Sequence, residues 1–92
     1  MSLRRDQYLG HTDDRRVCIF TMREGRRTVR FAVSWELLDA LEATRDVKAA
    51  ERATQFDRLR ARIEQLAERR FGLLKPGANP QELVLTSVDL ER

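Results

Sequence analysis

Two early segments carry the hydrophobic pattern of strands. Val17-Cys18-Ile19-Phe20-Thr21-Met22 is a run of β-branched, aromatic and apolar residues. Thr28-Val29-Arg30-Phe31-Ala32-Val33 alternates cleanly, with Val29, Phe31 and Val33 on one face and Thr28, Arg30 and Ala32 on the other. Arg23-Glu24-Gly25-Arg26-Arg27 lies between them, and glycine suits the positive φ of a tight hairpin turn. A Glu24-Gly25 loop would set Phe20 against Val29 and Cys18 against Phe31, whereas a three-residue loop would set Ile19 against Phe31. A slip of one residue exchanges the two faces, so the pattern leaves this register open. Residues 1–14 are polar and aperiodic and read as a loosely ordered lead-in.

The period changes after Val33. Ser34 is placed as a helix N-cap, Glu36 suits the first turn, and Trp35, Leu38 and Leu41 form an inward stripe. No glycine or proline interrupts 35–71, yet one helix of that length would reach about 55 Å, too long for so small a domain. Continuing the stripe by threes and fours lands on Arg45, Lys48 and Arg52, and a new stripe begins only at Phe56, Leu59, Ile63 and Leu66. The phase predicts a break near Thr44–Asp46, with Thr44 or Asp46 as second N-cap, and a second helix running to about Arg70 with Gly72 as its stop. Lys75–Pro80 reads as loop and Leu83–Val88 as a last strand.

The order β-β-α-α-β predicts an α+β fold: a mostly antiparallel sheet of about three strands with two helices on one face. The expected core is Val29, Phe31, Val33, Leu38, Leu41, Phe56, Leu59, Ile63, Leu66, Leu83 and Leu85. The 92 residues make a single domain. A domain of this size buries only about 60–65% of its unfolded surface, which leaves little room for an enclosed substrate cavity.

Composition changes this picture in three ways. No uncharged stretch exceeds six residues, which excludes a membrane-spanning helix. The basic start leads into no apolar run, so no secretory signal is read, and a lone cysteine suits a reducing compartment; the cytoplasm is the expected location. The net charge is +3, and of eighteen cations only Lys48 and Lys75 are lysine. An arginine excess follows either from a GC-rich genome or from phosphate binding by the guanidinium fork.

The hairpin, the junction Val29-Arg30-Phe31-Ala32-Val33-Ser34-Trp35-Glu36-Leu37-Leu38, the helix end Ile63-Glu64-Gln65-Leu66-Ala67 and the ending Leu83-Val84-Leu85-Thr86-Ser87-Val88-Asp89-Leu90 together resemble the short bacterial proteins of the family called domain of unknown function 1488. The resemblance covers residues 15–90, through the order and spacing of these segments rather than any one motif. It implies a small α+β fold and no assigned activity, cofactor or site residue.

Candidate chemistry is sparse. His11 and Cys18 are the only residues of their types and suggest a thiol with its base. A cysteine inside a strand, however, more often serves as a small hydrophobe. Two such ligands do not make a structural zinc site. Thr86, Ser87 and Asp89 offer oxygens for a ligand, although such residues more often close a strand through local hydrogen bonds. Trp35 reads as core before interface anchor. No phosphate loop, HExxH or GxSxG motif is present, so neither an enzyme nor a cofactor is expected.

Arg23, Arg26, Arg27 and Arg30 cluster on the hairpin, with Arg15 and Arg16 leading into it, and a basic ribbon can follow a phosphate backbone. No aromatics interleave with them, as single-strand binding usually requires. Two functions follow as expectations. The first is a non-enzymatic cytoplasmic interaction module that binds a protein partner or itself through a helix face or a free sheet edge. The alternative is nucleic-acid or polyanion binding through the arginine-rich hairpin.

Overall fold

A computed structural model describes residues 3–91. Its sheet has four strands in the order β1-β2-β3-β4, comprising β1 (Arg4–Thr12), β2 (Val17–Glu24), β3 (Arg27–Ser34) and β4 (Leu83–Leu85). The first three are antiparallel, and β4 lies parallel to β3. Helices α1 (Trp35–Glu42) and α2 (Arg52–Gly72) form the connection from β3 to β4.

The expectation of about three strands is therefore corrected to four. The extra strand is β1, in the stretch read as a loose lead-in; Met1 and Ser2 of that stretch, and Arg92, lie outside the described residues. Burial alternates from Asp6 to Thr12, but of the half-buried positions Asp6, Tyr8, Gly10 and Thr12 only Tyr8 is large and apolar, which hides the strand from hydrophobic pattern reading. Two irregularities, between Arg5 and Tyr8 and between Tyr8 and Gly10, also shift its register. Packing against α2 adds to its ladder with β2. The Tyr8 ring lies 4.8 Å from Phe56, Arg5 Nε donates to Glu64 at 2.8 Å, and an Arg60 guanidinium donates to the Asp6 carbonyl at 3.2 Å.

The β2–β3 register is neither of the two weighed. Phe20 faces Phe31, Cys18 faces Val33 and Glu24 faces Arg27, so Gly25 and Arg26 form the loop. Gly25 takes φ 59° at the first loop position, where the glycine-first hairpin turn requires a positive value. This register stacks the Phe20 and Phe31 rings at 5.3 Å on the helix-covered face.

All eleven expected core residues pack in one cluster, ten of them buried and Leu41 partly so. Leu3, Cys18, Phe20, Met22, Trp35, Leu37, Ala67 and Phe71 join them. On the opposite, helix-free face, Val17, Ile19 and Ala32 form a small second cluster with Val84.

Ser34 caps α1 as expected, its hydroxyl accepting from the Leu37 N–H at 3.0 Å. The helix ends at a left-handed Ala43, so the break falls where the phase placed it. Neither Thr44 nor Asp46 caps α2. A single 3₁₀ turn, Ala49–Glu51, leads into α2, and no side chain caps it. Burial of Arg52 anchors this helix start instead. The last strand is shorter than expected because Thr86 and Asp89 start another 3₁₀ turn, Ser87–Leu90. The Asp89 carboxylate accepts from the Thr86 N–H at 2.9 Å, which realises the local-bond reading of these residues. Among the described residues no helix is long and apolar enough to cross a membrane.

Candidate functional site

The six hairpin-region arginines do not form one patch. Arg15 and Arg30 both bind Glu82 across the helix-free face of the sheet, and these bonds, Arg15's first, hold the Glu82 carboxyl below the usual carboxylate range. Arg16 leans over Trp35 at 5.8 Å. Arg27 folds over Phe71 at 5.4 Å and donates to the Ala78 carbonyl and to Asn79. Arg23 stands opposite Arg4 in the ladder, and Arg26 occupies the turn. Only Arg4, Arg23 and Arg26 thus gather at the hairpin end without an ion pair among the described residues.

His11 and Cys18 do come together, as direct partners across β1 and β2. Their chemistry stays apart. The thiol is fully buried, while His11 is exposed, its Nε2 3.5 Å from the Asp13 carboxylate and its ring 5.9 Å from Trp35. Burial pushes the Cys18 thiol up, against the opposing pull of nearby Tyr8, Trp35 and Arg52. The Tyr8 hydroxyl and the Trp35 indole N–H lie near it without hydrogen-bond geometry, since both atoms are buried and unpartnered. Thiol labelling of the native protein should therefore be slow near neutral pH and accelerate in denaturant. Labelling as fast as that of a free thiol would revive a reactive role.

The most deeply buried charge escaped the sequence reading. Arg52, 2% exposed, donates to Asp39 Oδ1 and Gln55 Oε1, each at 2.6 Å, and its guanidinium carbon lies 4.7 Å from the Trp35 ring centre. Gln55 in turn donates to Asp39 and Glu42, and Arg58 grips Glu42. The network staples α1 to α2. Burial pushes the Asp39 carboxyl up, but the bonds from Arg52 and Gln55 outweigh it and leave a net lowering; Arg58 holds Glu42 down as well. Asp39, Glu42 and Glu82 thus share one sign. Their folded forms hold protons less tightly than the unfolded chain, so their stabilisation is complete above the unfolded carboxylate range and is lost on acidification. Melting temperature should stay level from neutrality to about pH 5 and fall below about pH 4. A protein equally stable at pH 3 and pH 7 would contradict this assignment.

The apolar surface gathers at the other end of the helices. Leu73 is 60% exposed and Leu90 is 38% exposed. Leu73 lines a groove of about 520 Å³ with Leu66, Arg69, Arg70 and Asp89. A second hollow of about 210 Å³ shares Leu66 and Arg69 and adds Leu41, Arg62 and Leu90. Sharing Leu66 and Arg69, the two adjoin as a trough between α2 and the C-terminal 3₁₀ turn, mainly apolar at the Leu73 end and mainly polar at the Leu90 end, with arginines along it. Asp89, the acid in the first hollow, is engaged with Thr86 and with Arg70 at 3.5 Å. Among the described residues no group of three or more His, Cys, Asp or Glu side chains is placed to hold a metal ion.

The family model described as "Protein of unknown function (DUF1488)" matches residues 5–75. The chain belongs to the DUF1488 family. The match takes in β1, the hairpin and both helices, and ends before β4. A crystal structure of a DUF1488 protein of unknown function from Shewanella loihica PV-4 has the same fold, with a TM-score of 0.74 over 91% of each chain at 16% identity. None of the curated proteins matches the chain.

Proposed function

We propose that this DUF1488 chain is a non-enzymatic, cytoplasmic interaction module whose helix-side trough docks a protein segment. The carrying observation is that Leu73 and Leu90, two of the four large hydrophobic residues exposed among those described, line adjoining hollows that share Leu66. Such apolar concavities with a polar rim are typical docking sites. The sheet edges are poorer candidates. β1 is irregular and starts with three charged residues, and β4 is only three residues long. Charge selects the occupant. Arg62 and Arg69 on the rim favour a segment with apolar anchors and acidic flanks. A second copy docked face to face would set these arginines against themselves.

Selection from a displayed peptide library tests this. Enriched peptides should combine apolar anchors with Asp or Glu and lose binding to Leu73→Asp. Basic peptides, or peptides indifferent to that substitution, would overturn the reading.

The Arg4, Arg23 and Arg26 cluster favours a second reading, polyanion binding at the hairpin end. Phosphate contacts release counterions, so affinity for an oligonucleotide would fall steeply with salt. Arg23→Ala combined with Arg26→Ala should flatten that dependence by about two units of slope. A slope unchanged by the double substitution would remove the hairpin from consideration.

A further inference from the structure

A second concavity, of about 410 Å³, opens where the β1–β2 turn meets the start of α1 and the bend that follows it. Its cations are Arg15, Arg16 and Arg45, and Ser34 and Thr44 supply hydroxyls. The backbone here is unusual. Among the described residues three non-glycine residues have positive φ, namely Arg16 at 55°, Ala43 at 51° and Asp46 at 64°. Arg16 is part of the wall, and the other two bracket the wall residues Thr44 and Arg45. Ala43 owes its value to its place as the left-handed cap of α1.

The charges are unevenly engaged. Arg15 is held by Glu82. Arg16 is fixed in place without losing its donors: its carbonyl accepts from the backbone N–H of Trp35 at 2.9 Å, and its guanidinium rests near the indole. Neither Arg16 nor Arg45 has an ion-pair partner among the described residues. Of the two acids of the wall only Asp39 has a cationic partner among the described residues, Arg52, and it also feels the Arg16 charge. Asp39 accepts from Arg52 and Gln55, and Glu36 accepts from Ser87 at 3.2 Å. Two arginines without an ion pair thus line a hollow whose size falls within the range of small-molecule sites, roughly 300–1,000 Å³. Arginine forks match tetrahedral and planar oxyanions, and adjacent hydroxyls complete their hydrogen bonding.

We propose that this hollow binds the phosphate group of a small metabolite through Arg16 and Arg45. The site is separate from the docking trough and needs none of its residues.

The test is an NMR titration of the full chain with inorganic phosphate and with adenosine monophosphate, against sodium chloride at matched ionic strength. Amides of Arg16, Ser34, Thr44 and Arg45 should shift saturably with both phosphates and not with chloride. Arg45→Gln should weaken binding at least about tenfold, the loss of one charge-assisted contact. Arg26→Gln should leave binding unchanged. Arg45 is exposed, so its variant serves even where Arg16→Gln perturbs the fold. The proposal is overturned if chloride reproduces the shifts, if they centre on the hairpin, or if Arg45→Gln binds phosphate as wild type does. It is also overturned if only an oligonucleotide binds and the two small phosphates do not.

Discussion

Replacing Arg52 with alanine should lower the unfolding free energy by about 3 kcal/mol, the range for breaking a buried ion pair by removing one partner. Three losses combine. Asp39 and Gln55 lose a shared donor at 2.6 Å, Trp35 loses its stacked cation, and the first turn of α2 loses its anchor. Partial exposure of Asp39 keeps the cost from rising further, because water can replace some of the lost contact. Arg52→Lys should recover only part of it, since an ammonium cannot reproduce the planar fork. Asp39→Ala should cost at least as much, because it strands the more deeply buried partner. The double variant should cost less than the sum of the two, as expected of residues in one network. Denaturant unfolding of the four proteins checks this. Additive costs, or an Arg52→Ala loss below about 1 kcal/mol, would show that the network does not join the helices.

Phe56→Ala should cost about 3–5 kcal/mol, the usual loss for a buried aromatic. Phe56 is 1% exposed and holds together elements far apart in sequence. Its ring meets Tyr8 of β1 at 4.8 Å and Phe20 of β2 at 5.2 Å, and Arg60 lies over it. A domain of about 90 residues has a total stability of roughly 5–14 kcal/mol, so this one truncation removes a large share. Amide exchange should report the loss most strongly in β1, which relies on Tyr8 and α2 for its packing. A cost near 1 kcal/mol, with β1 protection intact, would mean that β1 is held by its ladder alone.

What pattern alone could read follows from where burial is regular. Phe56, Leu59, Ile63 and Leu66 kept a helical period and were placed correctly, as were the alternating residues of β3. β1 has no such hydrophobic period, because the other half-buried positions, Asp6, Gly10 and Thr12, are polar or small and leave Tyr8 as its main inward anchor. Arg52 was invisible for a different reason. Landing on a charge was evidence that the apolar stripe had ended, and only the spatial arrival of Asp39, Gln55 and Trp35 makes that charge a core residue. The hairpin register turned on which residue takes the first loop position. The trough was illegible because Leu66 lines one hollow with Leu73 and another with Leu90 only once the C-terminal turn folds back on α2. The unperiodic Leu73 after Gly72 was the one available signal. The arginine cluster was legible as composition but not as geometry, since Glu82, Phe71 and Trp35 draw its members to different sides.

The central claim is that the trough between α2 and the C-terminal turn is the docking surface. Its most direct test is the affinity of one selected acidic, apolar peptide for wild type, for Leu73→Asp and for Arg23→Ala with Arg26→Ala, measured by titration calorimetry on proteins of equal melting temperature. The account predicts at least about a thirtyfold loss for Leu73→Asp, a hot-spot effect of about 2 kcal/mol or more, and no change for the hairpin variant. Equal affinity for wild type and Leu73→Asp, with loss in the hairpin variant, would contradict it.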